Sequence, residues 1–151
     1  MTKKTSGPFL KNASSEQKKR PKIKNGPLIT RIDKGRILEE DYPIFCFKYL
    51  SDVSIADCRD SEFFIRFLLR LKGLSELGWK EIRHSNRHSY GMEKIAVDQI
   101  HPPLPSCITP DVTHLHVFRA TGNNLPFVGL EIETVFRVFF IETRFGDIYD
   151  H

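Results

Sequence analysis

The apolar positions of this chain change period along its length, and the changes mark its elements. Residues His114–Ala120 (HLHVFRA) alternate polar and apolar, break at Thr121–Asn124 (TGNN) and resume at Leu125. A second apolar run, Val135–Ile141 (VFRVFFI), follows. Alternation with a period of two marks strands with one buried face, and the Gly-Asn-Asn stretch supplies residues suited to a hairpin loop. Residues 114–151 therefore predict a compact antiparallel sheet. The turn near Glu133 and Thr134 contains neither Gly nor Pro, which leaves that boundary open.

Upstream the period becomes helical. Phe63, Phe64, Phe67, Leu68, Leu71, Leu74 and Leu77 recur at helical spacing, with Asp60 or Ser61 as N-cap and Glu62 at the positive helix end. Glu62, Arg66, Arg70 and Gly73 fall on one line, a stripe expected to face solvent. Gly78 punctuates the helix, and Trp79–Ile82 suggests a second, shorter one. Before them Ile44–Leu50 (IFCFKYL) reads as a strand by its aromatic and branched content. Residues 28–42 are compatible with a short strand or a turn of helix. The polar segment 83–90 has no apolar period, and 90–97 is a short strand or an irregular connection. Pro102, Pro103 and Pro105 enforce a loop. This order predicts an α+β fold, with an N-terminal strand and two helices packed on a three- to four-stranded antiparallel sheet.

Length and charge divide the chain in two. A chain of 151 residues with 12 Phe has room for one real core. Residues 1–24 carry eight Lys or Arg and one acid, whereas 25–151 carry 15 basic and 18 acidic residues. Residues 1–27, poor in aliphatic side chains, are expected to be a disordered basic tail, and 28–151 a single α+β domain. The cluster from Lys18 to Lys24 suits a nucleic-acid arm, a localisation signal or a merely solvated tail. The domain itself is mildly acidic, so any polyanion must be held by a local patch or by the tail. There is no apolar run long enough for a membrane span and no secretory signal, and three scattered cysteines (Cys46, Cys58, Cys107) suit a reducing compartment. A cytoplasmic location with no membrane partner is the expectation.

Three groups of residues can carry chemistry. Arg119 and Arg137 interrupt apolar strands, where a guanidinium on the open sheet face can hold phosphate or, alternatively, pair with Glu131, Glu133 or Glu142. Arg87 and His88, with Glu93 and Lys94, combine a proton-transfer group with cations for an oxyanion, or form a hydrated basic connector. Tyr149 and His151 can act as acid and base, oriented by Asp147 or Asp150, if Ile148 and Tyr149 pack; otherwise they fray. The pairs His84/His88 and His114/His116 have spacings seen in metal sites, but no Cys or acid spacing supports them. No metal or cofactor is assigned. Nucleophile-elbow, phosphate-loop and dinucleotide signatures are absent.

Over residues 44–151 the layout resembles the RelE/ParE superfamily of small bacterial toxins. Arg119 with its following turn is similar to the first sheet arginine of that family. Arg144–Tyr149 (RFGDIY) is similar to its closing arginine and strand-end tyrosine, while Val128-Gly129 stands where the family has a further arginine. The segments 87–95 and 149–151 also resemble a group of small bacterial and prophage proteins, a likeness that brings no activity with it. The toxin resemblance implies a metal-independent endoribonuclease that acts on RNA, in some members on the ribosome, and is held by an antitoxin protein. On that reading His88, Arg119, Tyr149 and His151 are catalytic, while Arg87, Lys94, Arg137 and Arg144 bind substrate phosphate. The rival expectation is a non-catalytic module that binds protein, or nucleic acid through its basic N-terminal arm.

Overall fold

The fold is that of a computed structural model, which describes residues 42–121 and 124–151. The expected tail 1–27, the stretch 28–41 and the hairpin residues Gly122 and Asn123 lie outside the described residues. Ile44–Cys46 forms β1, Ser61–Glu76 α1, Trp79–His84 α2, Glu93–Ala96 β2, His114–Arg119 β3, Pro126–Ile132 β4 and Val135–Ile141 β5. The chain is α+β, with both helices against one sheet.

That sheet has five strands in the order β1-β5-β4-β3-β2, rather than the expected three or four. Nor is it wholly antiparallel, because β1 lies parallel to β5 as an edge strand, with Phe45 opposite Phe136. Apolar content identifies a strand but carries no information on its direction; the long chain between β1 and β5 permits the parallel crossover. β1 is also shorter than the apolar run 44–50. The chain turns at Phe47, whose carbonyl accepts from Leu50 N, and Ser51 N then reaches Phe139 O at 2.8 Å.

Asp60 is the N-cap of α1, its carboxylate accepting from Phe63 N at 3.0 Å. The helix buries Phe63, Phe67 and Leu74. Leu68, expected in the core, is exposed beside Ile65 and Leu69. The expected solvent stripe is also interrupted: Arg70 lies over the Tyr90 ring at 4.2 Å, and Tyr90 packs on Gly73. Seven apolar positions at helical spacing overfill one face, and tertiary contacts select which of them are buried.

Both sheet faces are covered. On the helix side Phe118, Phe127, Phe136 and Val138 meet Phe63, Phe67, Trp79 and Ile82. On the other side Leu115, Val117, Val128 and Phe140 meet Ile100 and Ile148, which come from the long loop and the last residues. A bulge opposite Val128 and Gly129 shifts the register of β4 and β5, so that Phe139 and Phe140 both enter the second core. Gly129 permits it, since a Cβ there would stand 2.1 Å from Arg137 O. The β4–β5 turn needs no glycine because Glu133 itself takes the left-handed conformation, with φ 58°.

Candidate functional site

At the end of the second face, a cleft of about 390 Å³ opens between the sheet, the loop after α2 and the last residues of the chain. It is lined by Arg87, His88, Glu93, Arg119, Asn124, Phe145, Tyr149, Asp150 and His151.

Arg119 is placed by strand alternation. Phe118 and Ala120 point to the helix-side core, so the side chain between them points the other way. Its Nη2 donates to Glu93 Oε1 at 2.9 Å and its Nη1 to Asn124 O at 2.8 Å. Glu93 faces the same way because it pairs with Val117, two residues along β3. Its other oxygen accepts from Arg87 Nη1 at 3.2 Å, so one carboxylate is held between two guanidinium groups.

Arg87 and His88 reach the cleft on a tightly folded loop. Asn86 organises it: its side chain accepts from His88 N at 2.8 Å, and its carbonyl accepts from Ser89 N and Gly91 N. Gly91 allows the return, since a Cβ there would meet Ser85 O at 2.3 Å. Arg70 then ties the loop to the sheet, donating to Ser89 O and, through Nε at 3.2 Å, to Arg119 O. Burial pulls the Arg70 pKa below the ordinary guanidinium value. Within the loop Arg87 Nε donates to His88 Nε2 at 3.2 Å, a contact that requires a lone pair on that nitrogen.

The last residues are anchored rather than frayed. Ile148 is fully buried, its carbonyl accepts from His101 N at 2.8 Å, and its own N donates to Glu142 Oε2 at 2.9 Å. Tyr149 and His151 follow with ring centroids 4.4 Å apart, and Phe145 meets the His151 ring edge-on. His151 Nε2 contacts Glu142 Oε1. Burial pushes the Tyr149 phenol above its ordinary pKa, against the opposing pull of Arg119 and with a lesser push from Glu142 and Glu93. Tyr149 is therefore a proton donor at neutral pH, not a base.

The structure thus brings Arg87, His88, Arg119, Tyr149 and His151 together and leaves three expected phosphate ligands elsewhere. Lys94 lines a second depression with Arg83, Met92, His116 and Glu131, and Glu93 borders both this depression and the cleft. Arg137 sits mid-strand in β5, between β1 and β4, with Nε buried and unpartnered. Arg144 is exposed and pairs with Asp147 at 3.2 Å. Asp147 is therefore engaged with Arg144, and Asp150 with His101 at 3.6 Å. The ring of His151 is met by Glu142 instead. The remaining histidines are dispersed: His84 contacts Lys80 O, His114 contacts Thr113 Oγ1, and His116 accepts from Glu131 N. Among the described residues no three His, Cys, Asp or Glu side chains are grouped to hold a metal ion.

Two carboxylates join this arrangement beside the residues expected to be catalytic or to bind phosphate. Glu93 stands in the Arg87–Lys94 candidate group without a role of its own, and Glu142 as a possible partner of Arg119 or Arg137. The available signal for Glu142 was an acid directly abutting a seven-residue apolar run. Comparison with protein-family models, curated proteins and solved structures finds no match to this chain. No helix among the described residues is long and apolar enough to cross a membrane.

Proposed function

We propose that the cleft is the active site of a metal-independent endoribonuclease. The observation that carries the reading is that two histidines line one cleft with opposite hydrogen-bond roles, beside two arginines. His88 accepts from Arg87, so in this contact it is the neutral ring, which is the form of a general base. His151 faces a carboxylate through Nε2, so that nitrogen carries a proton, and its charged form can serve as general acid.

In the reaction Arg87 Nε leaves His88 Nε2 as the guanidinium turns to the phosphate, the 2′-hydroxyl gives its proton to the freed Nε2, and its oxygen bonds to phosphorus. The bond from phosphorus to the 5′-oxygen breaks, and that oxygen takes a proton from His151. The products are a 2′,3′-cyclic phosphate and a 5′-hydroxyl end. Arg119 and Arg87 hold the non-bridging oxygens once the phosphate has displaced Glu93 from between them, and the Tyr149 phenol donates to the same group. Two proton carriers and fixed cations suffice for this chemistry, so no metal step is required. Lys94, Arg137 and Arg144 have no part in it, and the resemblance to RelE-type toxins supports RNA as substrate and a cytoplasmic site of action.

The test is cleavage of a single-stranded oligoribonucleotide in the presence of a chelator, with identification of the ends. Cyclic phosphate and 5′-hydroxyl ends, together with an uncut deoxyribose analogue, are expected. Cleavage by His88→Ala and His151→Ala at the rate of the unaltered protein overturns the assignment. RNA binding without cleavage, lost on removal of residues 1–24, identifies the non-catalytic module instead.

A further inference from the structure

The carboxylate of Glu142 is the most enclosed charged group among the described residues. Its side chain has no exposure, although it immediately follows β5 in a part of the chain packed with apolar rings. An ionised carboxylate in such a place is costly unless hydrogen bonds and an opposite charge compensate it. Oε2 accepts from Ile148 N at 2.9 Å, and Oε1 contacts His151 Nε2. Among the described residues no Lys or Arg pairs with it, and His151 is its single side-chain partner.

We propose that Glu142 is a positioning residue that holds the His151 ring in one orientation and one tautomer. The inference rests on the ribonuclease reading for its catalytic consequence, but not for its structural content. With Nε2 committed to Glu142, the neutral ring left after proton transfer keeps its hydrogen on Nε2. The nitrogen that exchanges protons with the cleft is then Nδ1. Glu142 touches no substrate: it is buried behind His151, and acts only through that ring. The same carboxylate, by accepting from Ile148 N, also fixes the backbone that carries Tyr149 and His151. One buried group therefore sets both the direction of the ring and the path of the segment that presents it. A general acid needs this kind of orientation, because a ring free to turn delivers its proton from the wrong nitrogen part of the time.

The experiment is long-range proton–nitrogen NMR on protein labelled with nitrogen-15 in histidine, with kinetics on the same samples. The unaltered protein is expected to show the neutral His151 ring protonated at Nε2 alone. Glu142→Gln is expected to show mixed tautomers, and kcat for RNA to fall about 10- to 100-fold with KM little changed. Should Glu142→Gln fail to fold, the reverse perturbation serves. His151→Ala strands the carboxylate and is expected to lower the melting temperature, whereas His151→Asn, which can still donate to Oε1, restores much of it. A single Nε2 tautomer in Glu142→Gln, or equal melting temperatures for His151→Ala and the unaltered protein, overturns the proposal. Absence of RNA cleavage by the unaltered protein overturns only the ribonuclease reading, since tautomer and melting measurements need no substrate.

Discussion

Replacing Arg119 separates the catalytic reading from a purely structural one. The side chain is only 14% exposed and makes two hydrogen bonds, to Glu93 at 2.9 Å and to Asn124 O at 2.8 Å. Truncation to Ala removes two charge-assisted bonds, each worth about 1.5–3 kcal/mol. A fully buried pair broken on one side costs about 3–5 kcal/mol. Glu93 is 29% exposed and keeps Arg87, so the loss falls at the lower end, near 3 kcal/mol. At this chain length that lowers the melting temperature by about 6–12 °C. Catalysis suffers separately: loss of one fixed donor to the reacting oxygens costs about 10²- to 10³-fold in kcat. Arg119→Lys sorts the two effects. Its ammonium retains an ion pair with Glu93 and most of the stability, but it cannot bridge Glu93 and Asn124 as a planar fork does, and cleavage still falls by about tenfold or more. Rates are to be read on an oligoribonucleotide well below each melting transition. An Arg119→Ala protein that melts earlier yet cleaves at the original rate refutes the catalytic role and leaves Arg119 as a strut.

Three other perturbations test the frame around the cleft. Phe127 is fully buried, with ring contacts to Phe45, Phe67, Phe118 and Phe136, so Phe127→Ala should cost about 3–5 kcal/mol in urea unfolding; a loss well below that range means the four rings collapse into the gap. Asp60→Ala removes the cap on Phe63 N and should lower unfolding free energy by about 1 kcal/mol, with Asp60→Asn close to neutral. Tyr149 has a folded pKa raised above the ordinary 10.0, so the fold favours its neutral phenol. That contribution is fully present below the unfolded value and is lost as pH climbs through the raised one, so the unaltered protein should lose more thermal stability across the alkaline range than Tyr149→Phe. Identical alkaline slopes in the two proteins contradict it.

Much of the fold is legible because its signals are local. Asp60 ahead of helically spaced Phe and Leu locates α1, and the alternation from His114 to Ala120 locates β3. What escapes is decided by partners distant in sequence. The direction of β1 depends on β5, some ninety residues away, and nothing within residues 44–50 encodes it. Leu68 differs from Phe67 by one helical step, and only the position of the sheet decides that Phe67 is buried and Leu68 is not. The bulge at Gly129 changes which residues share a face, and parity counted along the apolar run 135–141 fails beyond it.

The site divides in the same way between local and distant determinants. Arg87, His88, Arg119, Tyr149 and His151 are recognisable as candidates from residue type alone, because each is chemically conspicuous where it stands. Whether they meet depends on Gly91 turning the loop back, Arg70 fastening that loop to β3, and Ile148 packing into the second core. None of these three residues looks functional. Glu93 and Glu142 are harder still, because their roles come from what surrounds them: two arginines for one, complete burial against a histidine for the other. On the proposed ribonuclease reading, Glu93 also accounts for an anion site in a mildly acidic domain. The carboxylate occupies the space between Arg87 and Arg119, so the cleft is nearly neutral at rest and gains attraction for phosphate only when that carboxylate is displaced. Affinity for short RNA should then be modest and governed by exchange at Glu93 rather than by overall charge, which places the selectivity of this cleft in the geometry of two guanidinium groups.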